Sequence, residues 1–108
     1  MKIIKELTSV LEQEKIRYEY SYKIIETKIN EFSLFGIEVE RVDYVNGKMI
    51  NIERERIDKI SDELIKVEEL HKLASSNLVS PIHLIDILGE YADRYIEEMK
   101  EERAIVYS

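Results

Sequence analysis

Residues 16–24 read IRYEYSYKI, and this stretch decides the fold. Apolar or aromatic side chains occupy every second position, and charged or polar side chains fall between them. Such alternation is typical of a β-strand that buries one of its two faces. The sequence therefore predicts a strand over residues 16–24, with room to continue as far as Thr27 or Ile29.

Two further strands follow this one along the chain. Residues 35–42 and 48–57 both predict strands, and Asn46-Gly47 lies between them. Asn-Gly tolerates positive φ at both central positions of a two-residue turn, which makes it a strong hairpin signal. Ile50 and Ile52 are spaced by two and are expected to share a face.

Helical signals begin at Ser61, which can cap the free amides of a first helix. The apolar pattern continues to residue 74, and the polar residues 75–77 interrupt it. Ser80-Pro81 then predicts the start of a second helix that ends near residue 102. Gly89 lies inside that helix, so we expect a neighbouring helix or sheet to approach it closely.

These patterns predict one α+β domain over residues 1–108, with a sheet part at about 1–58 and a helical part at about 61–102. The expected architecture is an antiparallel β-meander of three to four strands followed by two packed C-terminal helices. Residues 1–15 fit either a helix or a strand paired with residues 16–28, and we favour the strand. Residues 104–108 are expected to dock on the domain or to fray.

Composition restricts the functional classes. The chain has 108 residues, no cysteine and a net charge of −7, so disulfides, thiolate zinc sites and cysteine nucleophiles are excluded. No stretch approaches the ~20 apolar residues that span a bilayer, and the N-terminus lacks the apolar core of a signal peptide. The expected location is the cytoplasm, without membrane contact.

Negative charge is concentrated in the second part of the chain. Residues 1–60 carry 11 basic and 12 acidic side chains, whereas residues 61–108 carry 5 basic and 11 acidic ones. The second part would repel a nucleic acid or an anionic membrane and attract a basic protein.

Residues 79–91 read VSPIHLIDILGEY. This segment resembles a family of small, uncharacterised clostridial proteins whose C-terminal helix has a VSPIHLxDI-type sequence. Residues 35–39 and 57–61 are also similar to it, so the resemblance covers roughly residues 15–100. It implies a bacterial or phage origin and an unknown function, and it supplies no catalytic residue.

The residue types that carry catalysis form no convincing constellation. His83 and Asp86 can be neighbours on one helical face, but they are only half of a metal site, and His71 falls on an apolar stripe. The serines occupy capping or loop positions, and the isolated glycines make no phosphate-binding loop. We therefore expect no enzyme, no cofactor and no metal site.

The favoured function is a non-enzymatic protein-interaction module, either an acidic regulator or a phage-type inhibitor of a partner that handles nucleic acid. The predicted partner-binding residues are Asp86, Glu90, Asp93, Glu97, Glu98, Tyr18, Tyr20 and Tyr22. The alternative is a small winged-helix-like DNA-binding protein with a basic hairpin, although nucleic-acid binding is disfavoured by the charge balance. The residues of that alternative are Arg41, Lys48, Arg54, Arg56 and Lys59. The oligomeric state stays open, with a homodimer among the options.

Overall fold

The computed structural model describes the backbone of residues 1–107 and the side chains of residues 1–101. Four antiparallel strands form one sheet in the order β1-β2-β3-β4, and two helices follow. The predicted α+β meander with two C-terminal helices is confirmed, and so is a strand at the N-terminus. The elements are β1 (Lys2–Gln13), β2 (Ile16–Ile29), β3 (Phe32–Val45), β4 (Lys48–Ser61), α1 (Leu64–Ser76), a 3₁₀ turn (Pro81–His83) and α2 (Leu84–Tyr107).

Each pair of successive strands is joined by a two-residue turn, so every strand pairs with its neighbour in sequence. Asn46 and Gly47 have φ values of 51° and 77°, which is the conformation that the Asn-Gly turn predicts. The predicted hairpin between β3 and β4 is therefore confirmed. The strands are 12 to 14 residues long, beyond the usual length of five or six.

The hydrophobic core lies between one face of the sheet and the two helices. Alternate residues of β2 and β3 point into it, and α1 and α2 contribute side chains spaced by three or four residues. We call this side of the sheet the helix face and the other side the open face. The buried core residues include Tyr22, Ile24, Ile37, Val39, Ile60, Val67, Leu70, Leu84 and Leu88.

The helices cover only part of the helix face. The sheet residues of the core come from the middle of β2 and β3 and the end of β4, and the strands continue past them towards Asn46-Gly47. The molecule is accordingly elongated, with principal extents of 60 × 24 × 18 Å. We call the bare end, which includes the Asn46-Gly47 turn, the hairpin end.

A bulge bends β4 where it approaches the helices. Ile37 pairs with Ile57, but Phe35 pairs with Ser61, so β4 contains two more residues than β3 over this step. The bulge lies directly over Gly36, and any side chain there would overlap the backbone carbonyl groups of residues 57 and 58. Gly36 therefore allows the bulge to form, and the bulge places Ile60 in the core.

Three local expectations from the sequence are wrong. Helix α1 begins at Leu64 and not near Ser61, because Ser61 ends β4 and its Oγ accepts a hydrogen bond from the Glu63 amide at 3.0 Å. Gly89 has no neighbouring element close to it, since the nearest atom is Ile85 Cγ2 of its own helix at 3.7 Å. Helix α2 continues beyond residue 102 to Tyr107.

The predicted docking or fraying of the side chains of residues 104–108 lies outside the described side chains. Neither described helix has the length and apolar character that a membrane crossing requires.

Candidate partner-binding surface

A row of carboxylates runs along the outer side of α2. Asp86, Glu90, Asp93 and Glu97 follow spacings of four, three and four residues, which places them on one helical face. Leu84, Leu88 and Ala92 occupy the opposite face and are buried in the core. All four carboxylates are exposed. We call these four residues the acidic ridge.

Of the side chains that the structure describes, a histidine or lysine lies within 4 Å of two members of the acidic ridge and not of the other two. Asp86 lies 3.9 Å from His83 Nδ1, and Glu97 lies 3.6 Å from Lys100 Nζ. Among the described side chains, Glu90 and Asp93 form no ion pair within 4 Å. The middle of the ridge therefore carries negative charge that no neighbouring side chain of residues 1–101 neutralises.

Isoleucines flank the start of the acidic ridge. Ile82, Ile85 and Ile87 are 65%, 51% and 42% exposed, although isoleucine is among the most often buried residues. They follow directly from the Pro81 turn, which fixes where the helix begins. A helical surface with apolar side chains beside a charged row resembles the core and rim of a protein–protein interface.

Glu98 has a different environment from the acidic ridge. Its Oε2 accepts a hydrogen bond from Lys66 Nζ at 2.9 Å, and Lys66 also contacts Glu63 at 2.7 Å. The ammonium group lies 5.2 Å from the ring centroid of Tyr95 as well. Glu98 thus connects α2 to the first turn of α1, and it is less available to a partner than the ridge.

The same contacts determine the chemistry of a nearby surface depression of about 650 Å³, which includes Lys66 and Tyr95. Hydrogen bonds from Lys66 to Glu63 and Glu98 raise its pKa. An ammonium group held protonated in this way is neither a nucleophile nor a general base at neutral pH.

The predicted tyrosine contact surface is wrong for Tyr20 and Tyr22. These side chains are 7% and 0% exposed, because the face of β2 that carries them is the one covered by the helices. Tyr22 donates a hydrogen bond from its hydroxyl to the Val79 carbonyl at 3.1 Å, and burial raises its pKa. Tyr18 is half-buried at the margin of the core. The tyrosines therefore stabilise the fold.

The basic residues of the DNA-binding alternative do not form one patch. Arg41 pairs with Glu53 across the hairpin on the helix face, whereas Arg54 and Arg56 lie on the open face. Lys48 begins β4 beside the turn, and Lys59 lies in the β4 bulge.

The arginines of this set are also engaged with carboxylates. Arg41 donates hydrogen bonds to both Asp43 oxygens at 2.9 and 3.2 Å, and its Nη2 lies 3.3 Å from Glu53. Burial alone would lower the pKa of Arg41, but the hydrogen bond and charge of Asp43 and the charge of Glu53 raise it overall. Arg54 is paired with Glu40 in the same way. Phosphate contacts would have to displace these carboxylates.

The two histidines occupy unrelated positions. His71 is 1% exposed, and its Nε2 lies 2.8 Å from the Tyr22 carbonyl oxygen, so this nitrogen carries the proton and donates. Burial lowers the pKa of His71, and this effect exceeds the opposite effect of the hydrogen bond to Tyr22. His83 is exposed at the start of α2. Within residues 1–101, no group of three or more histidine, aspartate or glutamate side chains could hold a metal ion.

Sequence reasoning missed an apolar patch on the open face at the hairpin end. Val42 pairs with Ile52, and Tyr44 pairs with Met49, so four apolar side chains lie on adjacent positions of β3 and β4. Ile50, which was expected to share a face with Ile52, lies between these two pairs at a register shift and has no partner in β3. The Asn46-Gly47 turn fixes the Tyr44–Met49 pair, but the register shift beyond that pair places Ile52 opposite Val42, and counting outward from the turn could not have revealed this second pair.

Comparison with protein families identifies a match over most of the chain. A family model described as "Family of unknown function (DUF6514)" matches residues 1–94, which include the sheet, α1 and the first part of α2. Neither the curated proteins nor the solved structures contain a match. The unknown function implied by the resemblance agrees with this result, and the origin that it implies stays a prediction.

Proposed function

Since the chain belongs to DUF6514, a family of unknown function that brings no activity with it, we propose that it is a non-enzymatic protein-interaction module. Its acidic ridge binds a basic protein partner and regulates or inhibits the handling of nucleic acid by that partner. The observation that carries the proposal is the pair of exposed carboxylates of Glu90 and Asp93 in the middle of the ridge, which form no ion pair with the side chains of residues 1–101.

The ridge presents a regular row of charge. Successive members are separated by three or four residues, which is about 4.5–6 Å along a helix that rises 1.5 Å per residue. Neighbouring carboxylates repel one another, and a partner with lysine or arginine side chains would relieve that repulsion. Complementary potentials of this kind speed association and select the partner.

The flanking isoleucines supply apolar contact area, which the charges of the ridge do not. Exposed ion pairs contribute only about 0–1 kcal/mol each, so a purely electrostatic contact would be weak. Burying exposed apolar surface contributes about 25 cal/mol per Å². Ile82 and Ile85 are 65% and 51% exposed beside the ridge, so a partner that covers them would gain this contribution. The partner is therefore expected to place an apolar side chain beside its basic residues.

A pull-down from a lysate of the source cells tests this function. The variant Glu90→Lys/Asp93→Lys reverses the two charges in the middle of the ridge, and Glu14→Lys/Glu31→Lys makes the same change in net charge at two exposed turns. At about 1 kcal/mol for each reversed charge, the first variant should bind its partner about 30-fold more weakly. The second should bind like the wild type.

A salt series separates the charge contribution from the rest. Because exposed charges are screened within about 3 Å at 1 M salt, retention of the partner should fall steeply between low and high ionic strength. Retention that is equal for both variants, or that survives 1 M salt unchanged, would refute the role of the ridge. A specific mobility shift of a DNA duplex at physiological salt would favour the nucleic-acid alternative instead.

A further inference from the structure

The second surface of interest is the apolar group on the open face. Val42, Tyr44, Met49 and Ile52 form two directly opposed cross-strand pairs, and we call them the hairpin patch. Met49 and Ile52 are 57% and 47% exposed, and Val42 and Tyr44 are half-buried. The helices pack on the other side of the sheet, so none of the described elements covers the patch.

Charged residues of both signs surround the hairpin patch on the open face. Arg17 pairs with Tyr44 and Glu19 pairs with Val42 in the neighbouring strand β2. Glu40 and Arg54 oppose each other beside the Val42–Ile52 pair. These four residues carry two positive and two negative charges, so the rim of the patch has no net charge.

The molecule also exposes more surface than its mass requires. Its accessible surface is 7266 Å² for a mass of 12.8 kDa. A compact monomer of that mass exposes roughly 6,300 Å², so the excess is about 1,000 Å². A standard interface removes about 800 Å² from each partner, which is close to this excess.

We propose that a second copy of this chain covers the hairpin patch, with two open faces packed against each other about a two-fold axis. An interface of this symmetry brings one surface into contact with itself, so the surface must be self-complementary. The hairpin patch meets this requirement, because its centre is apolar and its rim is neutral, with Arg17 paired to Glu19 and Arg54 paired to Glu40 within each copy. Two acidic ridges would instead repel.

Pairing of the exposed β4 edges is another route to a dimer, and the charges of β4 oppose it. Glu53 and Glu55 lie on the helix face, and Arg54 and Arg56 lie on the open face. In an antiparallel pair, opposite residues lie on the same face of the sheet. When two copies pair along this stretch, glutamate therefore faces glutamate and arginine faces arginine, which keeps the edge from pairing with itself.

Analytical ultracentrifugation of the whole chain tests the proposal at about 100 µM, above the micromolar dissociation constants of the weakest interfaces of this size. The wild type should sediment at twice the 12.8 kDa chain mass. Ile52→Asp and Met49→Asp should sediment as monomers. The control Ile65→Asp places the same charge at a 73% exposed isoleucine of α1 and should remain dimeric. A monomeric wild type, or folded patch variants that still dimerise, would overturn the proposal.

A footprint on the unmodified protein does not depend on how the variants fold. Hydrogen peroxide oxidises exposed methionine side chains to the sulfoxide and is itself reduced to water. Between about 1 µM and 100 µM protein, oxidation of Met49 should slow several-fold, whereas oxidation of the 73% exposed Met1 should not change. Equal behaviour of the two methionines at both concentrations would also overturn the dimer.

Discussion

Replacing Gly36 with alanine would place a methyl group inside the backbone of the β4 bulge. The added carbon would lie 2.5 Å from the carbonyl carbon of Asp58, and the carbonyl oxygens of Ile57 and Asp58 would be closer still. Carbon atoms pack at about 3.5–4.0 Å, so the bulge would have to move by about 1 Å. The clashing atoms belong to the backbone, which is held between a strand pair and the core. Unlike a side chain, it cannot relieve the clash by changing its rotamer.

The expected cost follows from that displacement. Overpacking of a buried site costs about 1–3 kcal/mol, and the loss of one or two ladder hydrogen bonds beside the bulge adds about 1 kcal/mol each. The free energy of unfolding should therefore fall by about 2–5 kcal/mol. This is a large part of the 5–15 kcal/mol that typically stabilises a domain.

Urea denaturation followed by circular dichroism measures this change. With a slope of about 2 kcal/mol per molar urea, the midpoint of Gly36→Ala should fall by about 1–2.5 M. Gly89→Ala is the matched control, because Gly89 lies in α2 with only Ile85 Cγ2 nearby at 3.7 Å. That variant should gain about 0.5–1 kcal/mol from helix propensity. If both substitutions shift the midpoint in the same direction, the assigned role of the bulge is incorrect.

Three further predictions concern single substitutions. Gly47→Ala should cost about 1 kcal/mol in urea denaturation, because φ is +77° but nothing lies within 4 Å of the added methyl group. Tyr22→Phe should cost about 1–2 kcal/mol in the same assay, since the buried Val79 carbonyl loses its donor. The pKa of His71 is lowered from its ordinary value of 6.5, so the unfolded state takes up the proton first. Unfolding free energy should therefore fall as pH drops below 6.5, and His71→Gln should flatten this pH dependence.

The sheet could be predicted from the sequence because its signals are local. Alternation over residues 16–24 identified β2, and Asn46-Gly47 fixed the hairpin between β3 and β4. Both depend on short stretches of sequence and on the intrinsic geometry of a strand or a turn. The predicted strands were correct but too short, since β3 and β4 each extend by several residues beyond the patterns that revealed them.

Features that depend on distant parts of the chain could not be predicted in the same way. Alternation shows that Tyr20 and Tyr22 share a face, but it does not show that the helices cover that face. The bulge over Gly36 changes the register of β4, and Ser61 ends this strand instead of beginning α1. The exposed carboxylates of α2 were predictable from helical spacing, whereas the half-buried contact of Glu98 with Lys66 requires the packing of α1 against α2.

The meander has a consequence for the order in which the protein is made. All strand pairings join neighbours in sequence, so the sheet can form as soon as residue 61 has left the ribosome. The helix face of the sheet is not yet covered by Leu84 and Leu88, which are synthesised later. At 5–20 residues per second, the 27 residues 62–88 take roughly one to five seconds to synthesise. During that interval the nascent chain exposes the apolar side chains of the helix face, which a ribosome-bound chaperone could bind.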